Sequence, residues 1–161
     1  MEEYLPDRIY LDDYKGDFST YLDAAYAIFR NDFVVSKPIY RGVRLGLKRY
    51  PLHFNKECTF YHLTHEGNDE NNRIPNMRRI EMIGFPRPII DNSENNELKV
   101  WRNRRGNKTR ILLFYEAEDY LVVLDDRGKY ILPWTAYIVT TNHKRRKLIK
   151  EYEEYINAKT A

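Results

Sequence analysis

Two histidines stand three residues apart in the segment Cys58-Thr59-Phe60-Tyr61-His62-Leu63-Thr64-His65-Glu66-Gly67, which leads into the most hydrophilic loop of the chain, Gly67-Asn68-Asp69-Glu70-Asn71-Asn72. Imidazole titrates near neutrality, so His62 and His65 are candidates for a general acid and a general base. Read instead as zinc ligands, the pair would need two further donors, and only Cys58, Glu66 or distant carboxylates are on offer. H-x-x-H alone does not make such a site, and no metal and no cofactor are expected. A third reading is two structural rings hydrogen-bonded in a loop.

Hydroxyls and cations supply the rest of a chemistry. Thr135 and Tyr137 lie two residues apart in Gly128–Val139, a stretch rich in strand formers, so they share one face of a strand. Trp134, Ala136 and Ile138 are expected on the opposite face. Residues 99–110 hold Lys99, Arg102, Arg104, Arg105, Lys108 and Arg110 and no acid, with Trp101 interleaved. Guanidinium groups match phosphate bidentately, and aromatic faces stack on unpaired bases. Lys144-Arg145-Arg146-Lys147 covers one turn near a helix N-terminus, where cations oppose the helix dipole unless they meet an anion. Lys99, Trp101, Arg102, Arg104, Arg105, Lys108, Lys144 and Arg145 are therefore the candidate nucleic-acid contacts. Together these groups suit RNA cleavage without metal, in which the 2′-hydroxyl attacks its own phosphodiester. His62 or His65 would act as base or acid, Arg110 or Lys99 would hold the phosphate, and Thr135 and Tyr137 would donate to its oxygens.

Composition sets the bounds on that reading. With 161 residues and a 42% hydrophobic share, the chain is long enough for one domain with its own core. Net charge is +3, but the first 32 residues carry eight acids against Arg8, Lys15 and Arg30, a balance of −5. Segregated charge of this kind points to a polyanionic partner. The lone Cys58 excludes a disulfide framework. The acidic start MEEYLPDRIY is no secretory signal, and no apolar run approaches the roughly eighteen residues of a membrane span, so a soluble, cytoplasmic protein is expected. The phosphate-loop, dinucleotide, serine-hydrolase and zincin motifs are all missing.

Periodicity supplies the scaffold for these residues. After an acidic lead (1–17), Asp17 caps a helix over 18–33 with Phe18, Leu22, Ala25, Phe29 and Phe33 on one stripe. Residues 43–48 alternate as an extended segment whose basic face, with Arg44 and Lys48, is either solvated or a phosphate-contacting edge, and 58–67 read as a short strand. A short helix spans 75–83, and 85–90 is extended because each residue before a proline avoids the helical region. Residues 98–104, 109–115, 119–125 and 129–139 form successive strands whose short joints demand antiparallel hairpins. A helix over 142–158, capped by Asn142, closes the chain. The fold class is α+β: an antiparallel four- or five-stranded meander over 98–139, with the N-terminal, middle and C-terminal helices on one side.

A helix, an early histidine and a four-stranded meander ending in Thr-Ala-Tyr resemble the barnase–EndoU–colicin E5/D–RelE (BECR) group of nucleases, most closely its phage-associated branches. The matching residues are His62 in Phe60-Tyr61-His62-Leu63, Arg110, Thr135 and Tyr137, and the likeness covers roughly 58–155. What this resemblance implies is a metal-independent, phage- or toxin-associated endoribonuclease acting on RNA, tRNA included, without a cofactor and away from membranes, with an antitoxin or immunity-type protein as partner. The alternative is a non-catalytic nucleic-acid-binding accessory protein, or a protein-interaction module of phage origin.

Overall fold

A computed structural model describes residues 1–160. The acidic lead forms two short 3-10 turns, Glu2–Tyr4 and Leu11–Tyr14. Asp17 then caps helix α1 (Phe18–Phe29): Oδ1 accepts from the Ser19 amide at 3.2 Å and Oδ2 from the Thr20 hydroxyl at 2.8 Å. The helix passes into a π-helical turn, Arg30–Val35. Tyr21, Ala25, Phe29 and Phe33 form its buried face, while Phe18 and Leu22 pack at its margin. A small hairpin of β1 (Ile39–Tyr40) and β2 (Val43–Arg44) turns at Arg41-Gly42, both in the left-handed region (φ 48° and 83°). The strand in the expected extended segment 43–48 ends at Arg44.

Two local predictions need correction. Cys58–Thr64 is a helix, α2, not a strand. Its aromatic and β-branched residues favour strands, but all seven are buried, so tertiary packing overrides propensity. The hydroxyls of this buried helix are satisfied locally: Thr64 Oγ1 donates to Phe60 O at 2.8 Å, and Thr59 Oγ1 accepts from Lys48 N at 2.8 Å. Two-residue strands β3 (His65–Glu66) and β4 (Ile74–Pro75) then clasp the polar loop 67–73. Asn76 caps α3 (Met77–Glu81), its Oδ1 accepting from Arg79 N at 3.1 Å. The second correction is Pro86–Asp91, which is helix α4 rather than extended chain. Both prolines fall in its first turn, where no intrahelical N–H bond is lost.

The meander follows the sequence closely. Strands β5 (Leu98–Arg105), β6 (Lys108–Tyr115), β7 (Tyr120–Asp126) and β8 (Ile131–Ile138) pair antiparallel in chain order. Helix α5 (Asn142–Thr160) comes next, and its cap is Thr141 rather than Asn142, with Oγ1 accepting from Lys144 N at 3.2 Å. The helices cover both faces of the sheet rather than one. Ile111, Leu113, Val122, Leu124 and Ala136 pack with α1, α2, α3 and α4, and the other face carries α5 over Trp101, Leu112, Phe114, Leu121 and Val123. This division follows from the alternation of apolar residues on both faces of β6 and β7. No helix among the described residues is long and apolar enough to cross a membrane.

One irregularity reshapes the last strand. Val123 pairs with Thr135 but Leu124 pairs with Pro133, so Trp134 is the extra residue of a β-bulge. Ala136 and Ile138 pack into the larger core as expected, but Trp134 returns to the Thr135 and Tyr137 side. Trp101, expected on a nucleic-acid surface, is instead only 1% exposed; its ring meets Tyr152, and Nε1 donates to Glu151 Oε1 at 2.7 Å. Trp101→Ala should therefore lower stability by about 3–5 kcal/mol in urea unfolding. A change below about 1 kcal/mol would contradict this placement.

Candidate nucleic-acid interface

The bulge leaves the indole of Trp134 half-buried and surrounded by cations. Arg110 Cζ lies 4.4 Å from a ring centroid of the indole, Lys108 Nζ 5.6 Å and Lys48 Nζ 5.9 Å. Each such contact contributes about 0.5–1 kcal/mol at an exposed site, but the three cations repel one another. Arg110 is matched by buried Asp125, whose Oδ1 lies 3.3 Å from its Nε and whose Oδ2 accepts from Arg127 at 2.8 Å. Lys48 and Lys108 form no ion pair among the described residues. An aromatic face thus carries a local excess of positive charge.

Beside it Thr135 and Tyr137 line a cleft of about 560 Å³ with Arg78, Arg79, Asn68, Asn76 and Lys144. Glu66 is the one carboxylate among the described lining residues, and it accepts from Asn76 Nδ2 at 2.9 Å. Arg79 Nη1 donates to His62 O at 2.9 Å, Thr135 Oγ1 at 3.0 Å and His65 O at 3.1 Å. Its guanidinium sits 5.2 Å from the Tyr137 ring centroid. Burial draws Arg79 below the usual guanidinium value, although the group stays charged. Lys144 Nζ donates to Tyr137 OH at 2.6 Å. A smaller hollow of about 270 Å³ shares Trp134, Thr135, Tyr137 and Lys144 and adds Arg105 and Arg110. The two hollows adjoin at these four shared residues, and together they are termed the groove, with Trp134 and Tyr137 between them and cations around both.

The histidine rings face elsewhere. His62 Nε2 lies 2.9 Å from both Glu70 oxygens, and Cys58 Sγ donates to Glu70 Oε1 at 3.3 Å. Burial lowers the His62 pKa against the opposing pull of Glu70. Burial raises Glu70, but the hydrogen bonds from His62 and Cys58 outweigh it and hold the carboxyl below its ordinary value. His65 Nδ1 pairs with Thr64 Oγ1 at 2.8 Å, and its ring stacks on Tyr61 with centroids 4.6 Å apart. Tyr61 in turn stacks on His53 at 3.8 Å. The His62 ring comes nearest the groove, its centroid 5.0 Å from that of Trp134 and nearly perpendicular. Among the described residues, the His/Cys/Asp/Glu trio with ligand atoms within 4.8 Å of one another is His53, Cys58 and Glu70.

Of the residues singled out from sequence, Thr135, Tyr137, Arg105, Arg110, Lys108 and Lys144 converge on this groove. Arg104 is exposed on the same hairpin. Three others are engaged by carboxylates: Lys99 by Glu116 at 2.9 Å, Arg102 by Asp126 at 2.6 Å, and Arg145 by Asp119 at 2.7 Å. Trp101 lies in the core. Sequence reasoning misses Arg78 and Arg79, which come from an element far along the chain, and leaves Lys48 between a solvated face and a phosphate-contacting edge. It also gives the stacking role to Trp101 rather than Trp134, although a proline within a strand pattern is a usable bulge signal. These features define an α+β protein with a basic, aromatic-floored groove. In comparisons with known proteins, the chain matches no family model, no curated protein and no solved structure.

The buried histidines predict a pH response. Burial pushes His65 down from 6.5 to about 4. Below about pH 6.5 the unfolded chain takes up a proton that the folded state refuses until about pH 4, so stability falls on acidification. Urea unfolding should show a loss on the order of 3 kcal/mol from this group by pH 4, and His65→Gln should flatten that slope.

Proposed function

We propose that this chain binds single-stranded RNA along the groove beside β8. The observation that carries this reading is the half-buried Trp134 indole flanked by Lys48, Lys108 and Arg110 at 4.4–5.9 Å. A base stacks on an aromatic face, and Lys48 and Lys108, which have no ion pair among the described residues, take the phosphates on either side. The rest of the groove continues the pattern, with Tyr137 beneath Arg79 and Lys144, and Asn68, Asn76 and Thr135 able to bond a 2′-hydroxyl or a base edge. Arg78 stands exposed at the rim, without an ion pair among the described residues.

A second reading, metal-independent cleavage of that RNA, keeps the support of one contact set. The single nitrogen Arg79 Nη1 joins the backbones of His62 and His65 to the Thr135 hydroxyl. Cleavage would require a histidine ring to turn from Glu70 or Thr64 into the groove. In that case an antitoxin-like inhibitor would have to present carboxylates to the same cations.

Binding is tested by fluorescence anisotropy with labelled single-stranded RNA, against single-stranded DNA and duplex RNA of the same sequence. Trp134→Ala should weaken RNA binding by about 5- to 150-fold. Lys48→Ala and Arg78→Ala should each reduce the slope of log K against log salt by about 0.7, whereas Lys99→Ala should leave it unchanged. RNA binding that is absent at low salt, or indifferent to Trp134→Ala, would overturn the proposal. The same RNA incubated with EDTA reports on cleavage: an intact strand excludes the second reading.

A further inference from the structure

Behind the groove, separate segments bring three metal-type donors, His53, Cys58 and Glu70, within 4.8 Å of one another, with His62 beside them. His53 comes from the turn at 53–56, Cys58 and His62 from successive turns of α2, and Glu70 from the loop between β3 and β4. Cys58 Sγ lies 3.3 Å from Glu70 Oε1 and 3.6 Å from His62 Nε2. His53 Nε2 lies 3.7 Å from Glu70 Oε1. A tetrahedron with zinc–ligand bonds of roughly 2.0–2.3 Å has edges of about 3.3–3.8 Å. His62 Nε2, 2.9 Å from the carboxylate, is its hydrogen-bond partner rather than one of the three donors.

The second observation is an orphan. His53 Nε2 is buried and has no hydrogen-bond partner, its side chain is 10% exposed, and the atom faces Glu70. A buried ring nitrogen without a partner is costly unless something takes its lone pair. We infer that His53, Cys58 and Glu70 form a three-donor zinc site that locks the 53–56 turn and the 67–73 loop onto α2, with His62 holding Glu70 from beside it. The donor set selects the ion: a thiolate and an imidazole suit zinc and not magnesium or calcium. Charge also balances, since one thiolate and one carboxylate neutralise Zn²⁺. Arg73 Nε, 3.1 Å from Glu70 Oε2, orients the carboxylate from outside. Binding releases the thiol proton of Cys58, while the neutral His62 keeps its own. A nucleophilic thiol is the weaker reading of the same cluster, because Cys58 is fully buried and its pKa is pushed up to about 11, burial being the largest cause.

Zinc binding at this cluster is independent of RNA binding, and it is tested without RNA. The untagged full-length chain, stripped with chelator and dialysed, is titrated with Zn²⁺ and separately with Co²⁺. One equivalent of either should bind. The cobalt form should show the intense visible bands of a tetrahedral centre and a near-ultraviolet thiolate-to-cobalt charge-transfer band. Cys58 is the only cysteine in the chain, so that band identifies the ligand without any variant. His53→Ala and the part-exposed Glu70→Gln should weaken Zn²⁺ binding by more than the 10–100-fold that loss of an outer hydrogen-bond partner causes. Zn²⁺ should also raise the thermal midpoint of the wild type. The zinc site is ruled out if no stoichiometric binding occurs, if the cobalt form lacks the charge-transfer band, or if folded His53→Ala and Glu70→Gln bind as tightly as wild type.

Discussion

A single guanidinium nitrogen holds the helical layer to the strand that forms the groove. Arg79 Nη1 takes two carbonyls, at the end of α2 and the start of β3, and the hydroxyl of Thr135 on β8. Those carbonyls belong to a helix terminus that lacks backbone partners of its own, so the arginine satisfies them and fixes the distance from α2 to the sheet at one stroke. Because Arg79 meets no carboxylate within hydrogen-bonding distance, its charge is left to the cleft.

The distribution of positive charge separates into two populations. Lys99, Arg102 and Arg145 sit against acids from neighbouring strands and turns, and exposed pairs of that kind contribute little to stability. Lys48, Arg78, Arg105 and Lys108 have no such partner among the described residues, and they surround the aromatic floor beside β8. Counting basic residues along 99–110 cannot separate the two groups, because the acids that neutralise one of them lie at 116–126.

The meander is legible in the sequence because its strands alternate on both faces and its joints are too short for anything but hairpins. The observed strand bounds differ from the expected ones by at most two residues. Helix α2 is not legible: Thr59, Phe60, Tyr61 and Thr64 read locally as strand, and only burial on every side makes them a helix. The Pro-rich turn at 85–90 misleads for a related reason, since the rule that disfavours helix before proline yields where proline occupies a first turn. At the site, spacing alone puts Thr135 and Tyr137 on one face of a strand, whereas Trp134 falls on the wrong face because a strict period of two cannot anticipate a bulge. Glu70 is one acid among many in a polar loop, and nothing in its neighbours along the chain marks it as the partner of His62.

The same bulge has a consequence for how molecules of this protein meet one another. Strand β8 is an outer strand of the sheet, and a straight outer strand offers a row of unpaired backbone groups to any other chain. Pro133 removes one donor from that row, and the extra residue Trp134 bends the strand out of plane. The ring of like charges around the indole adds repulsion between two such edges. The irregularity that builds the groove therefore also guards the sheet against edge-to-edge aggregation.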